Sequence, residues 1–158
     1  MTKLNADCIY LNNFTKMRVN LAVNTLCESV AREMQESEND ATKSTQKYIQ
    51  VCAKMFDILN SQIAIKDCTD ERIAEIEKIN RLFFEWETEL EHEYIIPSEI
   101  QKHNISWQTI QDTHLTLSSF IDLLKYLFSQ QFQEKYPSKP YIIPKRLNQD
   151  IVEGWFSH

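Results

Sequence analysis

A chain of 158 residues with a single glycine, Gly154, has almost no position where the backbone takes a positive φ cheaply or presses close against a bound phosphate. The P-loop, the dinucleotide-binding turn and the nucleophile elbow all need glycines at fixed offsets, so none of them can be built here. The same scarcity, with only four prolines (Pro97, Pro137, Pro140 and Pro144), predicts long helices interrupted by a few polar loops. A 42% hydrophobic share supplies a core, and 25% charged residues is an ordinary value for a folded chain. The length suits one domain, or a helical domain plus a piece of another.

Apolar periodicity places the helices. Val19, Val23, Leu26, Cys27, Val30 and Met34 form one stripe on a single helix over residues 14–37, with Asn12-Asn13-Phe14-Thr15 to cap it. The polar run 36–40 ends that helix, and Ser44 caps a second one running to about Asn60, striped by Tyr48, Cys52, Met55, Phe56 and Leu59. Thr69 opens a third helix with Ile73, Ile76, Ile79, Phe83, Trp86 and Leu90 on one face, while Glu71, Glu75, Glu77, Glu85, Glu87 and Glu89 make a solvated surface. Pro97 closes that region.

Ser106 caps a fourth helix striped by Trp107, Ile110, His114, Leu117, Ile121, Leu124 and Phe128. From Phe120 onward Leu123 and Leu127 make both faces apolar, which implies burial on two sides or a partner's face. His114 reads as a satisfied core histidine, because no carboxylate stands at helical spacing from it. Pro137, Pro140 and Pro144 stiffen the next segment, which includes the short β-prone run Tyr141-Ile142-Ile143. Asn148 or Asp150 then caps a last short helix, with Glu153 as the capping-box partner of Asp150 three residues on.

A net charge of −6 argues against this chain gripping a nucleic-acid backbone on its own, since phosphate neutralisation needs clustered Lys and Arg. Lys145-Arg146 is the only dense basic spot and reads as two solvated charges. Cys8, Cys27, Cys52 and Cys68 lie far apart without a C-x-x-C pair and read as free thiols, three of them among apolar neighbours. The four histidines show no H-x-x-x-H spacing, so zinc has no support. No apolar run follows Met1 and none reaches about 18 residues, which predicts neither secretion nor a membrane span and points to an intracellular, reducing compartment.

The last residues add a pattern of another kind. Gln149, Asp150, Glu153, Phe156 and Ser157 resemble the Gln-Asp-x-x-Glu-x-x-Phe-Ser signature near the end of the catalytic core in P-element-like DNA transposases, the group that includes the THAP-domain transposases. Three further patches follow in that family's order. Met17–Ala22 with Thr25–Ala31 is similar to the start of the helical insertion that interrupts the RNase H-like core. Phe56–Ser61 resembles the insertion's Phe-Asp-x-Leu-Asn-Ser segment, and Ser118–Leu127 the long helix returning to the core.

The resemblance implies a mainly α fold: a helical, bundle-like GTP-binding insertion domain over residues 1–136 and the start of a C-terminal RNase H-like segment over 137–158. It implies that Glu153 is the third catalytic, metal-binding acid, that Asp150 contacts the guanine of GTP where insertion and core meet, and that Mg²⁺ serves only with the rest of the core. Nothing before residue 14 offers the strands for the other two acids, and no zinc-coordinating DNA-binding module or basic region is present. The expectation is a truncated or domesticated transposase relative, nuclear if so, that binds GTP but does not cut DNA alone. Its partner is then the missing core or another helical protein. The alternative is a helical protein-protein interaction domain without nucleotide binding.

Overall fold

The computed structural model describes residues 4–15, 18–37, 39–136 and 138–147. Helices dominate them, and among the described residues there is no strand, only an isolated antiparallel bridge between Ile65 and Ile142. The chain divides into two compact units, Met1–Leu59 and Asn60–His158. The division expected after residue 136 lies inside the second of them.

The first unit holds α1 (Ala6–Ile9), α2 (Val19–Thr25), α3 (Glu28–Glu36), a 3-10 turn (Asp40–Thr42) and α4 (Lys43–Leu59). The single helix expected over 14–37 is therefore two. Its break lies at Leu26-Cys27, where Cys27 is extended at φ −119° and ψ 157°. The Thr25 hydroxyl donates to the Leu21 carbonyl at 2.9 Å, a back-bond that competes with the helix ladder, and the Cys27 thiol reaches the Asn24 carbonyl at 3.2 Å. Apolar spacing cannot reveal such a break, because Leu26, Cys27, Val30 and Met34 all remain on the packed side.

The cap expected at Asn12–Thr15 closes a local turn instead. Asn12 Oδ1 accepts from the Phe14 and Thr15 amides at 2.8 and 2.9 Å, and Thr15 Oγ1 accepts from the Asn12 amide at 2.7 Å. The core of this unit forms where α3 packs on α4, with Val30, Ala31 and Ile49 buried and Leu26, Cys27 and Met34 against them. On α4 the buried face runs through Ile49, Cys52, Ala53 and Ile58, so Phe56, expected on the stripe, is exposed. Asn39, not Ser44, starts this segment, its Oδ1 accepting from the Ala41 amide at 3.0 Å.

The second unit is built on α5 (Glu71–Glu93) and α7 (Trp107–Leu127), with α6 (Pro97–His103), α8 (Gln130–Lys135) and a 3-10 turn (Pro144–Leu147) around them. The expected α5 stripe is buried at Ile73, Ile76, Ile79, Phe83 and Leu90, and it packs on α7 through Ile110, Leu117, Phe120, Ile121 and Leu124. Each such side chain withdrawn from water contributes about 1.5–3 kcal/mol before entropy is counted. Ser106 caps α7 by accepting from the Thr109 amide at 3.2 Å, as expected, although Trp107 beside it is 61% exposed.

Two boundaries differ. Asp70 rather than Thr69 caps α5, because Asp67 takes the Thr69 amide and hydroxyl. Pro97 does not close α5, which ends at Glu93; it opens α6, at a position where a missing N–H costs nothing.

Candidate functional site

Asp150 and Glu153, the guanine contact and the metal-binding acid that the resemblance implies, lie outside the described residues. The segment leading to them is well anchored in the second unit. Ile65 and Ile142 exchange amide-to-carbonyl bonds of 2.8 and 2.9 Å, the Lys145 amide donates to the Ser61 carbonyl at 3.1 Å, and Pro144 is fully buried. The stiff proline-rich stretch is thus held against the loop that follows α4. Lys145 and Arg146 are exposed, as their reading as solvated charges requires.

That loop is fastened by one side chain. Arg72 donates through Nε and Nη2 to the two carboxylate oxygens of Asp70 at 2.8 and 2.6 Å. Its remaining bonds go to Ser61 Oγ at 2.9 Å, the Ile63 carbonyl at 2.8 Å and the Ala64 carbonyl at 3.1 Å. All five guanidinium hydrogens are used, so Arg72 is committed to holding residues 61–64 and has nothing left for a phosphate. Hydrogen bonds from Arg72 hold the Asp70 carboxyl below the usual carboxylate range, and the same contact raises Arg72.

Between α5 and α7 lies a polar network that helical spacing did not disclose. His114 Nε2 is 2.6 Å from Glu87 Oε2, His114 Nδ1 is 3.3 Å from Asn80 Oδ1, and Asn80 Nδ2 donates to Ser118 Oγ at 3.3 Å. The imidazole stacks on Phe84 with ring centres 3.8 Å apart and meets Phe83 edge-on. His114 is a satisfied histidine, as expected. Its carboxylate partner stands 27 residues away on another helix, outside any helical spacing along α7. Glu77 is likewise engaged, accepting from Lys125 at 3.0 Å, so the acidic face of α5 is partly an inter-helix fastening.

Burial pushes the Cys52 thiol up, while its hydrogen bond with Tyr48 lowers it by less, and burial is also the main cause of the raised Tyr48 phenol. A protonated, buried sulfur is a poor nucleophile and ligand. Cys8 is buried as well, Cys27 half-buried and Cys68 exposed. Among the described residues no group of three His, Cys, Asp or Glu could hold a metal ion, and no helix is long and apolar enough to cross a membrane.

The patches that carry the family resemblance occupy definite places. Phe56–Leu59 is the last turn of α4, followed by Asn60 and Ser61, and Ser118–Leu127 is the buried half of α7. Phe56 and Asp57 are both exposed. No curated protein and no solved structure matches the chain. Residues 1–72 match the family described as the TNP-like, GTP-binding insertion domain. That match takes in just under half of the 158 residues, and it supports a transposase-related family for the chain.

Proposed function

We propose that this chain is a relative of the P-element-like, THAP-type DNA transposases and works as their GTP-binding insertion domain, with residues 137–158 the start of an RNase H-like segment. The observation that carries the proposal is the match of residues 1–72 to a GTP-binding insertion family. The residues Gln149, Asp150, Glu153, Phe156 and Ser157, spaced as in the family's signature, support it from the other end of the sequence. In this account Asp150 accepts two hydrogen bonds from the guanine edge, which adenine cannot offer. Glu153 is one of three carboxylates that hold divalent metal in the assembled core. The part played by these residues is to sense nucleotide, and their partner is a transposase core. A nuclear location goes with that role.

Calorimetric titration tests the proposal. GTP binds in preference to ATP, and Asp150→Ala weakens GTP by about ten- to a hundredfold, the worth of a charge-assisted acceptor, while ATP changes little. An Asp150 that only caps a helix lowers stability by about 1 kcal/mol and leaves the nucleotide titration as it was. Absence of GTP heat with the folded wild type overturns the proposal and leaves a helical interaction protein.

A further inference from the structure

The loop after α4 and the chain after α8 are paired through Ile65 and Ile142, and in an antiparallel pairing the residues after Ile65 run opposite those before Ile142. Lys66 and Asp67 thereby come to face the segment that carries Lys139. With α8 beside them they line an open cavity of about 520 Å³, whose walls include Lys66, Asp67, Phe128, Gln133, Tyr136 and Lys139. That volume falls in the range of roughly 300–1,000 Å³ that holds small ligands.

The wall chemistry is selective. Neither Lys66 nor Lys139 forms an ion pair with another described residue, whereas Lys43, Arg72, Lys78, Lys102 and Lys125 do. Two like charges lining one cavity are lowered in energy by an anion between them. The Lys135 ammonium lies 5.4 Å from the centre of the Tyr136 ring, and Tyr136 is braced by Phe132 at 4.7 Å. Asp67 engages Thr69 through Oδ1 alone, and that hydrogen bond keeps its carboxyl low and ionised. The setting agrees. Residues 125–147 hold five basic side chains and one acid, interleaved with Tyr126, Phe128, Phe132, Tyr136 and Tyr141, whereas α5 holds eight acids and three basic residues. Cations alternating with ring faces suit a phosphate joined to a flat base.

We propose that this cavity binds a nucleoside phosphate, with the phosphate on Lys66 and Lys139, the base on the rings of Tyr136 and Phe128, and Asp67 Oδ2 accepting a base or sugar hydrogen. The site uses none of the chemistry assigned to Asp150, so it stands whether or not the guanine assignment holds. The ligand is a free nucleotide or one unit of a single strand.

Nuclear magnetic resonance titration of the full chain with thymidine monophosphate, a short oligothymidylate and inorganic phosphate tests the site. The monophosphate and the oligomer shift the amides of residues 66–68 and 138–139. Lys66→Glu and Lys139→Glu each weaken both by about tenfold or more. Tyr136→Ala weakens both by about fivefold or more and leaves inorganic phosphate unchanged. Lys66, Tyr136 and Lys139 are exposed, so the variants keep the helical circular dichroism of the wild type. Tighter binding of the oligomer assigns the site to a strand, and equal binding to a free nucleotide. Unshifted cavity amides, or a monophosphate bound no better than inorganic phosphate and indifferent to Tyr136→Ala, overturn it. Asp150→Ala alters neither titration, which separates this outcome from that of GTP.

Discussion

In Met1–Leu59 the packed pair is α3 and α4, of 9 and 17 residues, and buried Val30 and Ala31 are small. In Asn60–His158 the packed pair is α5 and α7, of 23 and 21 residues, with Ile76, Ile79, Leu117 and Leu124 fully buried between polar fastenings at His114-Glu87 and Lys125-Glu77. The first unit also exposes Ile9, Tyr10, Leu11, Phe14 and Val19 within eleven consecutive residues, while the exposed apolar side chains of the second are scattered along it. Helices shorter than about 12–15 residues are marginal without packing, so the short helices of the first unit depend more on tertiary packing than α5 and α7 do. The family match begins in that unit. A region whose own core is modest is also the region where a ligand's stabilisation is easiest to see, because binding adds to a small baseline.

The largest effect expected is in the second core. Leu117→Ala removes a fully buried side chain and costs about 2–5 kcal/mol, more than Ile49→Ala in the first unit, whose 6% exposure and smaller neighbours let the site relax. Denaturant unfolding of the two variants checks the order, and a larger loss at Ile49 would break the comparison. Next, Arg72→Lys keeps the charge but loses the five-donor fork, leaving the acceptors at Ser61, Ile63 and Ala64 short of partners. The expected cost is about 1–3 kcal/mol, with faster amide exchange at residues 61–65 than in α3 or α4.

A smaller effect follows pH. The Asp70 carboxyl is lowered in the folded chain, chiefly by the Arg72 hydrogen bond, so its stabilisation is fully present above the unfolded value of about 3.9 and is lost as pH falls through the lower folded value. Asp70→Asn therefore flattens the acid limb of the stability curve below about pH 4, and above that range it costs about 1 kcal/mol, the scale of a helix cap. An acid titration of both proteins followed at 222 nm measures this. An unchanged acid limb would assign the acid sensitivity to other carboxylates.

These differences explain what could be read before the fold was known. The α5 stripe and the Ser106 cap were legible, since a helix buried along one face repeats its pattern and a serine before a long apolar run has one favoured use. The break at Cys27 was not, because it depends on the Thr25 hydroxyl and an extended backbone that leave the stripe intact. Nor was the Glu87 partner of His114, nor the placing of Lys66 and Lys139 on the wall of one cavity, since each brings together residues far apart in sequence. Asp150 and Glu153 were named from a short signature that carries chemistry without periodicity, and they lie outside the described residues.

Amide hydrogen exchange of the full chain with GTP, with ATP and without nucleotide distinguishes a guanine-nucleotide-binding protein from a plain helical one. GTP, more than ATP, is expected to slow exchange in α3 and α4 of the first unit, and Asp150→Ala to remove the difference between the two nucleotides. Exchange in α3 and α4 that GTP leaves unchanged in the folded wild type would contradict this expectation.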